Sequence, residues 1–155
     1  MRSLLAVDLG LKTGLALYGE DGKLIWFRSH NFGSTERLRR GVHGILSSIP
    51  ELAFIIIEGG GNLATVWERE AERRHILLRR VDAAVWREVF LWQREQRTGA
   101  DAKFNAGKMA RKVIEWSGIA LPKALRHDTA EAILIGLWGI LHFRWIADIP
   151  RDLRR

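Results

Sequence analysis

A single charge constrains this chain more than any other feature. The run LLAVDLGLKTGLALYGEDG, residues 4–22, opens as a near-continuous apolar strand and sets Asp8 inside it. A carboxylate there is costly unless something pairs with it. Residues 3–9 read as a buried strand, Gly10 and Gly14 bracket a turn, and LALYGE continues as a second strand. The Glu20-Asp21-Gly22 turn leads into KLIWFRSH as a third. Three strands with tight connections predict an antiparallel meander.

Beyond the meander the pattern changes period. Ser34 or Thr35 can cap a helix carrying Leu38, Val42, Ile45 and Leu46, which Pro50 closes. FIII (54–57) is an uninterrupted apolar run, as expected of a central strand covered on both faces, and Glu58 terminates it before Gly59-Gly60-Gly61. Residues 64–75 look helical. HILLRRVDA then reads as a fifth strand, with a continuing helix as the alternative. Residues 85–95 suggest a short helix, RTGADAK (97–103) a loop, and Phe104 to Trp116 a further helix. Gly118 and Pro122 break the chain before a long helix from about Asp128 to Ile146. The fold class is α/β, a mixed five-stranded sheet with helices on its faces. A single domain is expected over residues 1–147, followed by a frayed basic tail, 148–155.

Composition narrows the partners. With 25 Lys and Arg against 18 Asp and Glu, the net charge is +7, the balance of a chain that neutralises phosphates. A merely solvated surface is the plainer explanation of the same number. Cysteine is absent, which excludes disulfides and thiolate metal sites and fits a reducing compartment. MRSLLAVDLG lacks the pattern of a signal peptide, and the apolar run Ala132 to Leu141 is short for a membrane span. The expected location is the cytoplasm or the nucleoid, with no membrane partner.

Asp8 lies in the first strand and Glu58 ends the fourth; if those strands are neighbours they run about 4.8 Å apart, where two carboxylates repel unless one protonates or a cation intervenes. In RHDTAEAILIGLWG (126–139), Asp128 and Glu131 are three apart, and so share one helix face. Taken alone, Asp-x-x-Glu before an apolar run is better explained as a capping box. Other plain explanations are an Asp8–Lys12 ion pair, a loop carboxylate at Glu58 and a solvent-facing His127. Together the four acids in a basic domain suggest a two-metal phosphodiester site. Mg²⁺ and Mn²⁺ prefer carboxylate and water oxygens, and two ions about 3.5–4 Å apart serve an in-line displacement.

These segments resemble the RuvC-type Holliday-junction resolvases of the RNase H-like superfamily. AVDLGLKTGLA (6–16) resembles the family's Asp-x-Gly-x-x-x-Thr-Gly first strand, and FIIIE the strand bearing its second acid. RTGADAK resembles the Gly-x-Gly-x-Ala-x-Lys segment, and HDTAEAILIG the closing His-Asp-x-Ala-Asp-Ala helix. The resemblance spans nearly the whole chain. It implies an RNase H-like five-stranded mixed sheet, three antiparallel strands then two parallel, flanked by helices on both faces. It further implies Asp8, Glu58, Asp128 and Glu131 as metal-binding catalytic residues, and Lys103 beside the scissile phosphate. Arg87, Lys108 and Lys12 would contact DNA, and His127 would be accessory. Two Mg²⁺ or Mn²⁺ ions, a homodimer, four-way junctions and branch-migration machinery complete the implied set.

Two departures stand out. The family often places an aromatic residue shortly after the second acid, where Gly59-Gly60-Gly61-Asn62 stands here, and the last acid is Glu131 rather than Asp. Three competing readings remain. One is a nuclease of the same superfamily acting on other branched DNA or on RNA–DNA hybrid. Another is a junction-binding module without cleavage. The third is an actin- or sugar-kinase-like ATP-binding fold, with VDLGLKTG as its phosphate loop.

Overall fold

The structure, a computed structural model, describes residues 1–154. β1 (Ser3–Asp8), β2 (Lys12–Gly19) and β3 (Leu24–Asn31) form the antiparallel meander. β4 (Leu52–Glu58) joins the other edge of β1 in parallel, and β5 (Leu77–Val81) follows it, giving the order β3-β2-β1-β4-β5. This is the expected sheet of three antiparallel and two parallel strands. Its faces carry α1 (Thr35–Ser48), α2 (Gly61–Arg73), α3 (Ala83–Phe90), α4 (Gly99–Trp116) and α5 (His127–His142).

Strand alternation sorts the helices between the faces. Leu5, Val7, Leu15, Leu17, Ile55 and Ile57 are buried with Leu38, Val42 and Leu46 of α1 and with Trp67 of α2. Leu4, Ala6, Ala16, Tyr18 and Ile56 point the other way, into a core shared with α3, α4 and α5. β1 and β4 are therefore apolar at every position but their ends. The same parity puts Asp8 and Glu58 on the α5 side.

α5 lies directly on the sheet because glycines remove the side chains that would separate them. A methyl at Gly136 would run into the ring of Tyr18 and meet Cβ of Ala6. Above it, the buried Tyr18 hydroxyl donates to the Ile133 carbonyl at 2.5 Å. Gly14 plays the same part at the start of α5, where a side chain would strike the Asp128 carbonyl. Gly14 is thus not a turn residue, as its sequence context suggested, but lies within β2, paired with Asp8.

Other expected boundaries move for local reasons. α4 begins at Gly99 instead of Phe104, because the Thr98 hydroxyl accepts the Asp101 amide at 3.0 Å and caps the helix inside the expected loop. α5 stops at His142 rather than Ile146. Arg144 adopts φ 58°, and the Trp145 amide turns back to the Ile140 carbonyl at 2.8 Å. The segment expected to fray instead forms a 3₁₀ turn, Arg151–Leu153, whose Leu153 is only 1% exposed in the α4–α5 core.

Helix direction places the working end. α5 starts over Gly14 beside Asp8 and runs away from it. The C-terminus of α4 is tied to the opposite end, where the Trp116 carbonyl accepts Lys23 Nζ and the Ser117 hydroxyl accepts the Leu24 amide, both at 3.0 Å. The first turns of α4 therefore lie toward the Asp8 end. Among the described residues no helix is long and apolar enough to cross a membrane.

Gly136→Ala should destabilise the fold by about 1–3 kcal/mol, because overpacking against Tyr18 outweighs the gain in helix propensity of about 1 kcal/mol. The urea midpoint measures this. An unchanged or higher midpoint would refute the close helix–sheet contact.

Candidate metal centre

Asp8 and Glu58 are register partners at the C-terminal ends of β1 and β4, so the sheet holds their backbones side by side. Glu131, one turn into α5, comes down on the same face. One oxygen from each of Asp8, Glu58 and Glu131 lies within 4.8 Å of the others, and all three side chains are half-buried.

Such a group resists ionisation. Burial, followed by the charge of Glu131 and a hydrogen bond with it and then by Glu58, pushes the Asp8 carboxyl up to about 9. Burial also raises Glu58, opposed by a hydrogen bond from the Trp86 indole. Trp86 Nε1 donates to Glu58 Oε1 at 2.9 Å from a ring wholly inside the core, and so fixes that carboxylate's orientation. The nearest cation is Arg87, whose guanidinium approaches Glu131 at 3.6 Å while its buried Nε has no partner.

The residues singled out in the sequence divide between this group and its surroundings. Asp128 is not one of the three carboxylates that converge within 4.8 Å. It accepts from the Ser29 hydroxyl and the Thr129 amide, both at 2.7 Å. The expected capping box does not form, because Arg126 is the N-cap and Asp128 already lies within the helix. Arg87 is turned inward onto Glu131, and Lys12 is exposed without the Asp8 ion pair considered above. Lys103 and Lys108 are exposed on α4, with Lys108 Nζ 5.5 Å from the Phe104 ring centroid. His127 is the exposed first residue of α5. Trp86 was missed. Its only sequence signal is adjacency to Arg87 in a short aromatic helix.

The donor set fits a hard divalent cation. It holds three carboxylates without imidazole or thiolate, at a separation that is unfavourable without positive charge. Asp8, Glu58 and Glu131 are the residues that would hold such an ion.

In metal-free protein, the folded state keeps a proton on Asp8 that the unfolded chain releases near pH 4. Folded protein then binds more protons than unfolded protein between about pH 4 and 9, so stability in EDTA should fall as pH rises through that window. Mn²⁺ or Mg²⁺ should restore it at the alkaline end. Urea unfolding at several pH values tests this, and a flat profile with no metal effect would remove the centre. Trp86→Phe should weaken Mn²⁺ binding by about 10-fold or more, measured by titration calorimetry, since an orienting partner is lost. Unchanged affinity would deny Trp86 that role.

No protein-family model and no curated protein matches this sequence. Similarity appears in three dimensions. A solved structure of T. thermophilus RuvC in complex with Holliday junction substrate matches with a TM-score of 0.69, covering 93% of this chain and 96% of that one at 13% identity. At that identity the likeness is one of architecture, and the chain has the RNase H-like fold of that protein.

Proposed function

We propose that this chain is a metal-dependent endonuclease that hydrolyses phosphodiester bonds in branched DNA. In this reading four-way junctions are its substrate, and a homodimer nicks them symmetrically. One observation carries it: Asp8, Glu58 and Glu131 converge within 4.8 Å on a fold whose solved counterpart is bound to a Holliday junction.

Two Mg²⁺ or Mn²⁺ ions suit the carboxylates and, when bound, supply an activated water and charge for the leaving 3′ oxygen. The chain's own residues set the conditions. Asp8 gives up its proton on loading, which couples activity to pH. Trp86 keeps Glu58 aimed, and the Arg87 guanidinium, 3.6 Å from Glu131, offsets part of the charge there. Asp128, in the first turn of α5, is the fourth carboxylate of the reading. Lys103, on the end of α4 nearest the acids and without an ion pair among the described residues, is assigned to the scissile phosphate. Lys108 and Lys12 are assigned to flanking phosphates, and His127 to an accessory role. Concentrated negative charge gains nothing for DNA binding alone, which weighs against a non-cleaving module.

Asp8→Asn should abolish Mg²⁺- or Mn²⁺-dependent cleavage of a synthetic four-way junction while preserving fold and junction binding. In EDTA at pH 8 it should unfold at higher urea than wild type, because Asn sits beside Glu58 and Glu131 without the proton that Asp8 must take up on folding. Lys103→Ala should slow cleavage more than it weakens binding. Wild-type cutting by Asp8→Asn would sink the metal-site assignment. A comparison of junction, fork, duplex and RNA–DNA hybrid tests the substrate, and equal cutting of duplex or hybrid would rule out the resolvase reading. ATP binding without nuclease activity would move the chain to the kinase-like class.

A further inference from the structure

On the sheet face opposite the carboxylates, α1 and α2 enclose an open groove of about 530 Å³, lined by Thr35, Arg39, Asn62, Thr65, Arg69 and Arg73 among others. The groove starts at the working end. α2 begins three residues after Glu58, and β3 delivers the chain to α1 from Asn31, which pairs with Lys12 just past the β1–β2 turn. It then runs along both helices, and Asn62 to Arg73 on α2 alone span about 16 Å at 1.5 Å per residue.

Its charge is unbalanced. The only carboxylate lining it, Glu70, is 8% exposed and already accepts Arg73 at 3.0 Å and Arg74 at 3.2 Å. Arg39 and Arg69 have no ion pair or hydrogen bond among the described residues, and both are exposed. Two unpaired guanidiniums facing across a groove repel, and the fold gains nothing from them. Thr35 and Asn62 add uncommitted polar groups at the end nearest Glu58.

We infer that the α1–α2 groove is a binding track for a phosphodiester backbone, separate from the strand presented to Asp8, Glu58 and Glu131. Guanidiniums match phosphate oxygens in a planar, bidentate fashion, and a track this long suits successive phosphates better than one small anion. A second copy of the chain is the poorer occupant. A two-fold contact through this face would bring two sets of unpaired Arg39 and Arg69 guanidiniums together. The inference deepens the proposed function by giving the DNA arm flanking the cut site a path over the sheet edge, and in that respect it rests on that reading.

The test is fluorescence polarisation with a labelled four-way junction and a plain duplex, in EDTA so that no strand is cut, over a range of salt. Arg39→Ala/Arg69→Ala should weaken binding to both DNAs about tenfold near 0.1 M salt. The slope of log affinity against log salt should flatten by about 1.8, the release expected for two lost phosphate contacts. Arg39→Lys/Arg69→Lys should keep most of the slope, which separates lost charge from lost fold. An unchanged slope in the alanine variant would overturn the track. So would a change in its solution mass by light scattering, since that would make the occupant another copy. If wild type binds DNA with the expected slope but never cleaves it, the endonuclease reading fails and the track stands.

Discussion

Three carboxylates forced within 4.8 Å are the interaction around which this structure is organised. Free in water they would separate. Here Asp8 and Glu58 are register partners in adjacent parallel strands, and α5 is pinned against the sheet by contacts that tolerate no side chain at Gly14 or Gly136. The repulsion is carried by the rest of the fold. Among the described residues thirty-eight apolar ones are buried, most of them in the cores on the two sides of the sheet, and that packing is large beside the cost of one crowded acidic group. A site held this way is unfavourable alone and favourable with cations, the relation expected where function sets the local cost.

Charge is arranged to the same end. The chain is basic overall, yet among the described residues the one cation in an ion pair with these carboxylates is Arg87, half-buried at 3.6 Å from Glu131. Lys12, Lys103 and Lys108 are exposed, and Arg39 and Arg69 face the α1–α2 groove. The acidic cluster thus sits at the strand ends of a chain whose net charge is positive.

Much of the layout could be read from local pattern. The meander, the buried β4 and its terminal Glu58 were visible because strands covered on both faces must be apolar throughout, so a charge at their ends is conspicuous. Other features are not decided by local pattern. Gly14 looked like a turn residue because glycine marks turns and close approaches alike, and only the position of α5 tells them apart. Asp128 and Glu131 read as one pair because helical spacing brings them to one face. Their neighbours differ, Ser29 and Thr129 for Asp128 and Asp8 and Glu58 for Glu131, and spacing along the helix does not specify those partners. Trp86 could not be singled out, because its hydrogen bond to Glu58 spans 28 residues of chain.

What the sequence determined by itself was the alternation of its strands, the positions of its helices and the residue types offered to the site. These follow from periodicity and from the cost of burying a charge, both of which act over a few residues. Which acids meet, which cation approaches them and which helix end lies beside them was decided by tertiary structure. Those relations depend on strand register and on how closely α5 can settle against β1 and β2, distances fixed by packing between segments more than a hundred residues apart.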